Sequence, residues 1–182
     1  MDGIDGTNGY VSGLTNWGTL IALEQDGEIR LGIISSPAQD KRWWAQSGFG
    51  AFTGTCNSNR NGRQIRVSTN THTTANRVAT LPLFKNLAPQ AQLSIENAFA
   101  GVHSLNLSQW SQQVKVADED LDACIWFCGD TWAHAAPSII VKEAGGHFSD
   151  HLGGGRLDSR TGLYSNSLCH NQILDSLSKF QP

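Results

Sequence analysis

The 182-residue chain has a mass of 19.7 kDa, which suits one domain that can bury a hydrophobic core without disulfide support. Its 13 basic and 16 acidic residues give a net charge of −3, and the basic residues form no run, so we expect no nucleic-acid partner. The sequence holds no apolar stretch near the roughly 18 residues that span a bilayer. Its start shows no signal-peptide pattern, so we expect a cytoplasmic protein with no membrane partner.

The hexapeptide D-G-I-D-G-T at 2–7 is the chemically densest stretch of the chain. Two carboxylates three residues apart can hold one or two hard cations such as Mg²⁺. The glycines leave backbone N–H groups open to an anion, and the hydroxyl of Thr7 can orient a water molecule. The same run is also typical of a plain turn, because Asp and Gly are favoured in Asx-turns and at positive φ. Taken alone, the stretch leaves a phosphate site and a turn open.

The first third of the chain predicts an antiparallel meander. Its predicted strands are 17–24, 28–35, 42–45 and 64–68. Asp26-Gly27 between the first two strands predicts a tight hairpin. The turn-rich residues 9–16 and the Gly, Asn and Ser-rich residues 53–63 predict loops, and residues 48–51 close the third strand.

The remaining chain mixes strands and helices. Short strands are predicted at 77–81, 122–128, 147–149 and 163–165, and helices at 84–99, 105–117 and 170–180. Another helix follows from apolar residues that recur on one helical face, namely Trp132, Ala135, Ala136, Ile139 and Ile140. Asp130 or Thr131 can cap it, and Gly145-Gly146 ends it. Pro137 leaves two alternatives, a helix that begins near this proline or one that is kinked there.

The four cysteines form no C-x-x-C pair and no zinc-ligand spacing. They are Cys56, Cys124, Cys128 and Cys169. We therefore expect reduced, structural thiols.

Two motifs resemble signatures of the inositol monophosphatase superfamily. The hexapeptide resembles D-P-[IL]-D-G-T, with Gly3 where the family carries proline. The residues W-A-H-A-A at 132–136 and E-A-G-G at 143–146 are similar to the family pattern W-D-x-A-A followed by E-A-G-G. The strand sequences are most similar to the histidinol-phosphatase branch, in residues 17–23, 31–34, 42–45, 48–51, 164–166 and 170.

The resemblance covers nearly the whole chain and implies a fold and a reaction. It implies an α/β fold, the layered α/β/α/β/α sandwich of the inositol monophosphatase and fructose-bisphosphatase type, here lacking its N-terminal helices. Residues 1–182 would form a single phosphatase-like domain that is incomplete at the N-terminus. Family members commonly form homodimers and hydrolyse small phosphate monoesters with Mg²⁺, which makes histidinol phosphate and inositol monophosphate the expected substrates.

The resemblance also assigns roles to residues of the first motif. Asp2 and Asp5 would be metal-bridging carboxylates, and Ile4 would offer its backbone carbonyl to a metal. Gly6 and Thr7 would bind the phosphate through backbone N–H groups, and the Thr7 hydroxyl would orient the attacking water. The implied mechanism is in-line attack of a metal-activated water on phosphorus.

Two departures from the family pattern keep a second hypothesis open. Ala133 stands where the family has a metal-binding aspartate, and Asp130 is the possible substitute ligand. Family members also carry an N-terminal part with a water-activating glutamate ahead of the first motif. The alternative is a non-catalytic truncated relative that acts as a binding or dimerising subunit. A nucleotide-binding module is less favoured, because the sequence has no G-x-G-x-x-G or P-loop pattern.

Overall fold

The computed structural model describes residues 1–57, 62–71, 77–80, 111–126 and 129–177. In this part of the chain, a six-stranded sheet and a four-stranded sheet lie on opposite sides of a helical layer. The strands are β1 (Asp2–Asp5), β2 (Gly18–Gln25), β3 (Glu28–Ser36), β4 (Lys41–Gln46), β5 (Gly50–Gly54), β6 (Arg63–Ile65), β7 (Val78–Thr80), β8 (Ala123–Trp126), β9 (His147–Ser149) and β10 (Gly162–Ser165). The helices are α1 (Thr7–Val11), α2 (Gln112–Ala117), α3 (Thr131–Glu143) and α4 (His170–Leu177).

The six-stranded sheet is an antiparallel meander with its strands in chain order, β1 to β6. The strands predicted at 17–24, 28–35 and 42–45 are confirmed as β2, β3 and β4 within one residue at each end. Asp26 and Gly27 have φ values of 55° and 79°, the left-handed conformations that a tight two-residue hairpin requires. The D-G dipeptide therefore marks the β2–β3 turn correctly.

Four local features of this region differ in whole or in part from what the sequence pattern indicates. Residues 2–5 form the edge strand β1 instead of a turn, because they pair with β2. Residues 50–54 form β5, where closure of a strand and the start of a loop were expected. The strand predicted at 64–68 shortens to β6, since the Val67 N–H donates to the Ala144 carbonyl (3.0 Å) outside the sheet. Helix α1 takes up part of the loop predicted at 9–16.

Helix α3 lies between the two sheets. On one side, a Cβ at Gly32 of β3 would come within 2.5 Å of Ile139 Cγ2 and 2.7 Å of the Ala136 carbonyl oxygen, so only glycine fits this contact. On the other side, His134 Nδ1 hydrogen-bonds the Tyr164 hydroxyl of β10 at 2.7 Å. The helix begins at Thr131 and continues through Pro137, so the alternative of a start near the proline is wrong. Packing on both sides offsets the backbone hydrogen bond that proline removes.

The four-stranded sheet has the order β7-β8-β10-β9, with β7 and β8 parallel and the other pairs antiparallel. Helix α2 lies beside α3, and Ile173 of α4 packs on the opposite face of this sheet with Ile125 and Leu163. The described layers are thus sheet, helix, sheet and helix, as expected for the α/β/α/β/α sandwich. On the outer face of the six-stranded sheet, Ile21 is 40% exposed and Leu23 is 57% exposed.

The predictions for the second half of the chain are largely confirmed where they can be compared. The four short strands correspond to β7, β8, β9 and β10, and residues 112–117 of the helix predicted at 105–117 form α2. The helix predicted at 84–99 lies outside the described residues.

The described cysteines, Cys56, Cys124 and Cys169, are free, and Cys128 lies outside the described part. Burial raises the pKa of the Cys124 thiol. The described helices include none with the length and apolar character needed to cross a membrane.

Candidate metal-binding site

A β-bulge in β1 brings the two carboxylates of the first motif to the same face of the sheet. Asp2 pairs with Leu20 and Asp5 with Gly18, so three steps along β1 oppose two steps along β2. In a regular strand, residues three apart point to opposite faces. The extra residue of the bulge therefore returns the Asp5 side chain to the face of Asp2. Both aspartates are partly buried, whereas Gly3 and Ile4 between them are exposed.

The two carboxylates lie on the face that helix α3 covers. Residues directly opposite each other in an antiparallel pair project to the same face. Leu20, the partner of Asp2, is 2% exposed and belongs to the core cluster with Ala136 and Ile139 of α3. The aspartates therefore point toward the helical layer and not toward the open face of the sheet.

Helix α3 runs in the direction that brings the start of the second motif close to the first motif. At its C-terminal end, the Glu143 carboxylate accepts hydrogen bonds from the N–H groups of Gly48 (3.0 Å) and Gly50 (2.9 Å), at the β4–β5 turn. Its middle packs on Gly32 of β3, and Cα atoms of the helix come within 8 Å of β1. A helix that crosses the sheet from β5 to β1 in this direction brings its N-terminal end to β1. Ala133, 5% exposed, lies in this first turn.

Two threonine hydroxyls bind the backbone of the bulge. Thr19 Oγ1 donates to the Gly3 carbonyl at 2.9 Å, and Thr7 Oγ1 donates to the Ile4 carbonyl at 2.8 Å. The Thr7 hydroxyl has therefore committed its proton, but its oxygen can still accept a hydrogen bond from a water molecule. Gly6, with φ 78°, begins α1, so the backbone N–H groups of the first helical turn follow directly after Asp5.

The structure does not bring Asp130 into this group. Asp130 occupies the N-cap position of α3, and its Oδ1 lies 3.8 Å from Arg160 Nη2. Within the described residues, no three His, Cys, Asp or Glu side chains form a group that could hold a metal ion. Ala133 carries a methyl group, which cannot ligate a cation.

The donor set that remains suits a hard cation bound mainly through water. It consists of the carboxylates of Asp2 and Asp5 and the carbonyl of Ile4, all oxygen donors. Mg²⁺ prefers oxygen, usually keeps several waters and is often bound through one or two carboxylates together with substrate phosphate. Partial exposure of both aspartates leaves room for those waters. The residues present therefore fit Mg²⁺ with few protein ligands.

The described histidines contact other side chains of the protein. Burial lowers the pKa of His134 to about 4, although the backbone of Gly129 and the Asp130 carboxylate act in the opposite direction. Burial, and then the nearby His147 ring, lower the pKa of His170 to about 4. His151 Nδ1 hydrogen-bonds the Thr161 hydroxyl at 2.9 Å.

Sequence reasoning missed two residues that organise the site. In the sequence, Thr19 is typical of an ordinary strand residue. Nothing near it in the sequence indicates the bulge to which it hydrogen-bonds. Glu143 belongs to the second motif, yet its carboxylate binds the backbone of a turn. The glycines at 48 and 50 were the only signal for that turn.

The chain is similar to several known proteins over most of its length. The chain is 32% identical over 180 residues to a glucose-1-phosphate thymidylyltransferase of Streptomyces griseus, covering 91% of this chain and 61% of that protein. It is 29% identical over 188 residues to a histidinol-phosphatase of Mycobacterium tuberculosis, covering 98% of this chain and 68% of that protein. The solved structure of a Thermotoga maritima IMPase superposes with a TM-score of 0.74 at 26% identity, covering 97% of this chain and 66% of that one.

The chain thus spans about 61–68% of the length of these relatives. The names of the two sequence relatives denote different reactions, so neither name alone assigns one to this chain. The profile of the inositol monophosphatase family matches residues 1–180, nearly the entire sequence. The layered fold and the order of the two motifs agree with that match, and the chain belongs to the inositol monophosphatase family.

Proposed function

We propose that this chain hydrolyses a small phosphate monoester with Mg²⁺, with metal binding that is weakened by Ala133. The observation that carries the proposal is the bulge in β1, which places the carboxylates of Asp2 and Asp5 on the face toward α3. Members of the family named as histidinol-phosphatases and inositol-1-monophosphatases support a phosphate monoester as substrate. We propose histidinol phosphate ahead of inositol monophosphate, since the strand sequences most resemble the former branch.

Each residue of the first motif has a role in this proposal. Asp2, Asp5 and the Ile4 carbonyl would hold Mg²⁺, which supplies Lewis-acid stabilisation of charge on the phosphate and a lower pKa for a bound water. The backbone N–H groups of Gly6 and Thr7 would bind the phosphate oxygens. The Thr7 hydroxyl oxygen would accept a hydrogen bond from the attacking water while the hydroxyl continues to donate its own proton to the Ile4 carbonyl.

The test is phosphate release by the purified 182-residue chain from histidinol phosphate and from inositol monophosphate, with and without Mg²⁺. Release that depends on Mg²⁺ and is faster with histidinol phosphate is the expected result. A folded sample that releases no phosphate from either compound at any Mg²⁺ concentration contradicts the proposal.

One observation favours a second function, in which the chain binds a phosphate compound without hydrolysing it. With Ala133 in place of an aspartate, the described residues offer two carboxylates and a carbonyl, and fewer ligands orient a water less well. This binding subunit would hold inorganic phosphate in the presence of Mg²⁺ and show no turnover.

The expected homodimer stays a prediction. Sedimentation of the same sample would test it.

A further inference from the structure

The bulge in β1 interrupts the regular register with β2, and Thr19 binds a backbone carbonyl of the bulge. Thr19 stands between Gly18 and Leu20, so it is the single β2 residue opposite both Gly3 and Ile4. Its Oγ1 donates to the Gly3 carbonyl at 2.9 Å. An extra residue in one strand disrupts the ladder locally, and its backbone groups then need partners from outside the ladder.

We propose that Thr19 is a positioning residue for the cation site, because its hydroxyl holds the bulge that keeps Asp2 and Asp5 on one face. The inference rests on the proposed function, since it concerns the same pair of carboxylates. Thr19 projects to the face opposite Leu20, away from the carboxylates, so it acts on them only through the backbone.

Each of the two inner residues of the bulge, Gly3 and Ile4, accepts a hydrogen bond from a threonine hydroxyl. Thr19 binds the Gly3 carbonyl, and Thr7 binds the next carbonyl, that of Ile4. Removal of the Thr19 hydroxyl removes the side-chain contact that comes from β2, whereas the contact from Thr7 comes from the same segment of chain as the bulge. The pairing of β1 with β2 can then relax toward a regular register, and in that register residues three apart point to opposite faces. Asp2 and Asp5 would no longer share a cation.

The experiment compares Thr19→Val with Thr19→Ser, using Thr53→Val as a matched control. Valine keeps the shape of threonine without its hydroxyl, whereas serine keeps the hydroxyl. Thr53 Oγ1 makes the same type of bond, to the Arg42 carbonyl at 3.1 Å, between β5 and β4 of the same sheet. Binding of Mn²⁺, which has similar ligand preferences to Mg²⁺, is measured by calorimetry on the full chain. Cross-strand NOEs from Asp2 to Leu20 and from Asp5 to Gly18 report the register.

We expect Thr19→Val to weaken Mn²⁺ binding about tenfold and to lose the NOE pattern of the bulge. Thr19→Ser should keep the Mn²⁺ affinity and the NOE pattern of the unmodified chain. Thr53→Val should also leave the affinity and the NOE pattern unchanged. A Thr19→Val variant with the Mn²⁺ affinity and NOEs of the unmodified chain overturns the inference.

The two proposals fail in different ways. If the unmodified chain binds no Mn²⁺, the proposed function is wrong, and the NOEs alone then decide whether Thr19 holds the bulge. If the unmodified chain binds Mn²⁺ and Thr19→Val binds it equally well, the proposed function survives and the role of Thr19 is wrong.

Discussion

The polar groups of the β1 bulge and those around the four-stranded sheet differ in their exposure to solvent. Asp2 and Asp5 are partly buried and project toward the start of a helix. His134 is fully buried, and its ring contacts the Tyr164 hydroxyl. His170, 4% exposed, has a hydroxyl partner on each ring nitrogen. Fully buried polar groups contribute to the packing of the core, whereas partly exposed oxygen donors can be reached by a ligand.

The same difference separates two kinds of aspartate. The Asp122 carboxylate is fully buried and accepts hydrogen bonds from Ser68 (2.6 Å) and Asn70 (3.0 Å). Arg77 Nε lies 2.9 Å from the same oxygen. These contacts, all to one carboxylate oxygen, attach residues 68–70 to the start of β8, and burial keeps this carboxylate out of reach of a ligand. Asp5 has the same chemistry in an accessible place.

The largest effect we predict is a loss of stability in acid. His134 and His170 titrate near pH 4 in the folded chain but at about 6.5 when unfolded. Between these values the unfolded state binds more protons. The stabilisation is therefore complete above pH 6.5 and is lost as the pH falls toward 4, on the order of 3 kcal/mol per histidine.

Urea unfolding at several pH values between 7.5 and 4.5 measures this loss. His134→Gln should flatten the profile by removing one of the two contributions. His151→Gln is the control, because that imidazole is only partly buried. A free energy of unfolding that stays constant over this range contradicts the structural assignment of both histidines.

The next effect concerns the accessible carboxylates. Asp5→Asn removes a charged oxygen donor and should lower Mg²⁺-dependent phosphate release by roughly 100-fold, with little change in thermal stability. Asp26→Asn, in the exposed β2–β3 turn, makes the same chemical change far from β1 and should leave the rate unchanged. Equal rates for Asp5→Asn and the unmodified chain would remove Asp5 from the mechanism.

A gain of affinity is expected from Ala133→Asp. The variant places a carboxylate in the first turn of α3, at the end of the helix that approaches β1, and should tighten Mg²⁺ binding about tenfold. Thr131→Asp adds the same charge at an exposed position of the same turn and serves as the control. If both variants gain equally, the effect is general electrostatic attraction and not ligation.

The smallest effect is expected at the other end of α3. Glu143→Gln keeps one acceptor oxygen for the N–H groups of Gly48 and Gly50 but loses the charge, and should cost about 1 kcal/mol of unfolding free energy. Glu24→Gln, on the exposed end of β2, should be neutral. A Glu143→Gln variant as stable as Glu24→Gln would show that the turn does not need the carboxylate.

Local patterns predicted the parts of the fold in which sequence and packing agree. Strands β2, β3 and β4 followed from apolar runs and a D-G turn, and the two motifs identified the carboxylates. Strand β5 was missed because glycines at both its ends resemble a turn, and β1 because D-G-I-D-G is favoured in turns. In both cases pairing with a neighbouring strand overrides local preference.

The face of the sheet on which Asp2 and Asp5 lie could not be predicted from the sequence. Their spacing in a regular strand gives opposite faces, and a bulge has no reliable sequence signal. The course of α3 through Pro137 depends likewise on packing between two sheets, which local propensity does not describe. Contacts between distant segments therefore decide how the site is assembled.

The burial of α3 between two sheets also has a consequence for how the chain opens. Residues 133–141 are all buried, so the amides of the eight residues other than Pro137, which has no N–H, have no route to solvent by fraying or by local loop motion. These amides should exchange with deuterium only through global unfolding, far more slowly than those of α1, where Gly9 is the only buried residue. Exchange rates along α3 would therefore report the global stability of the chain in any variant, active or not.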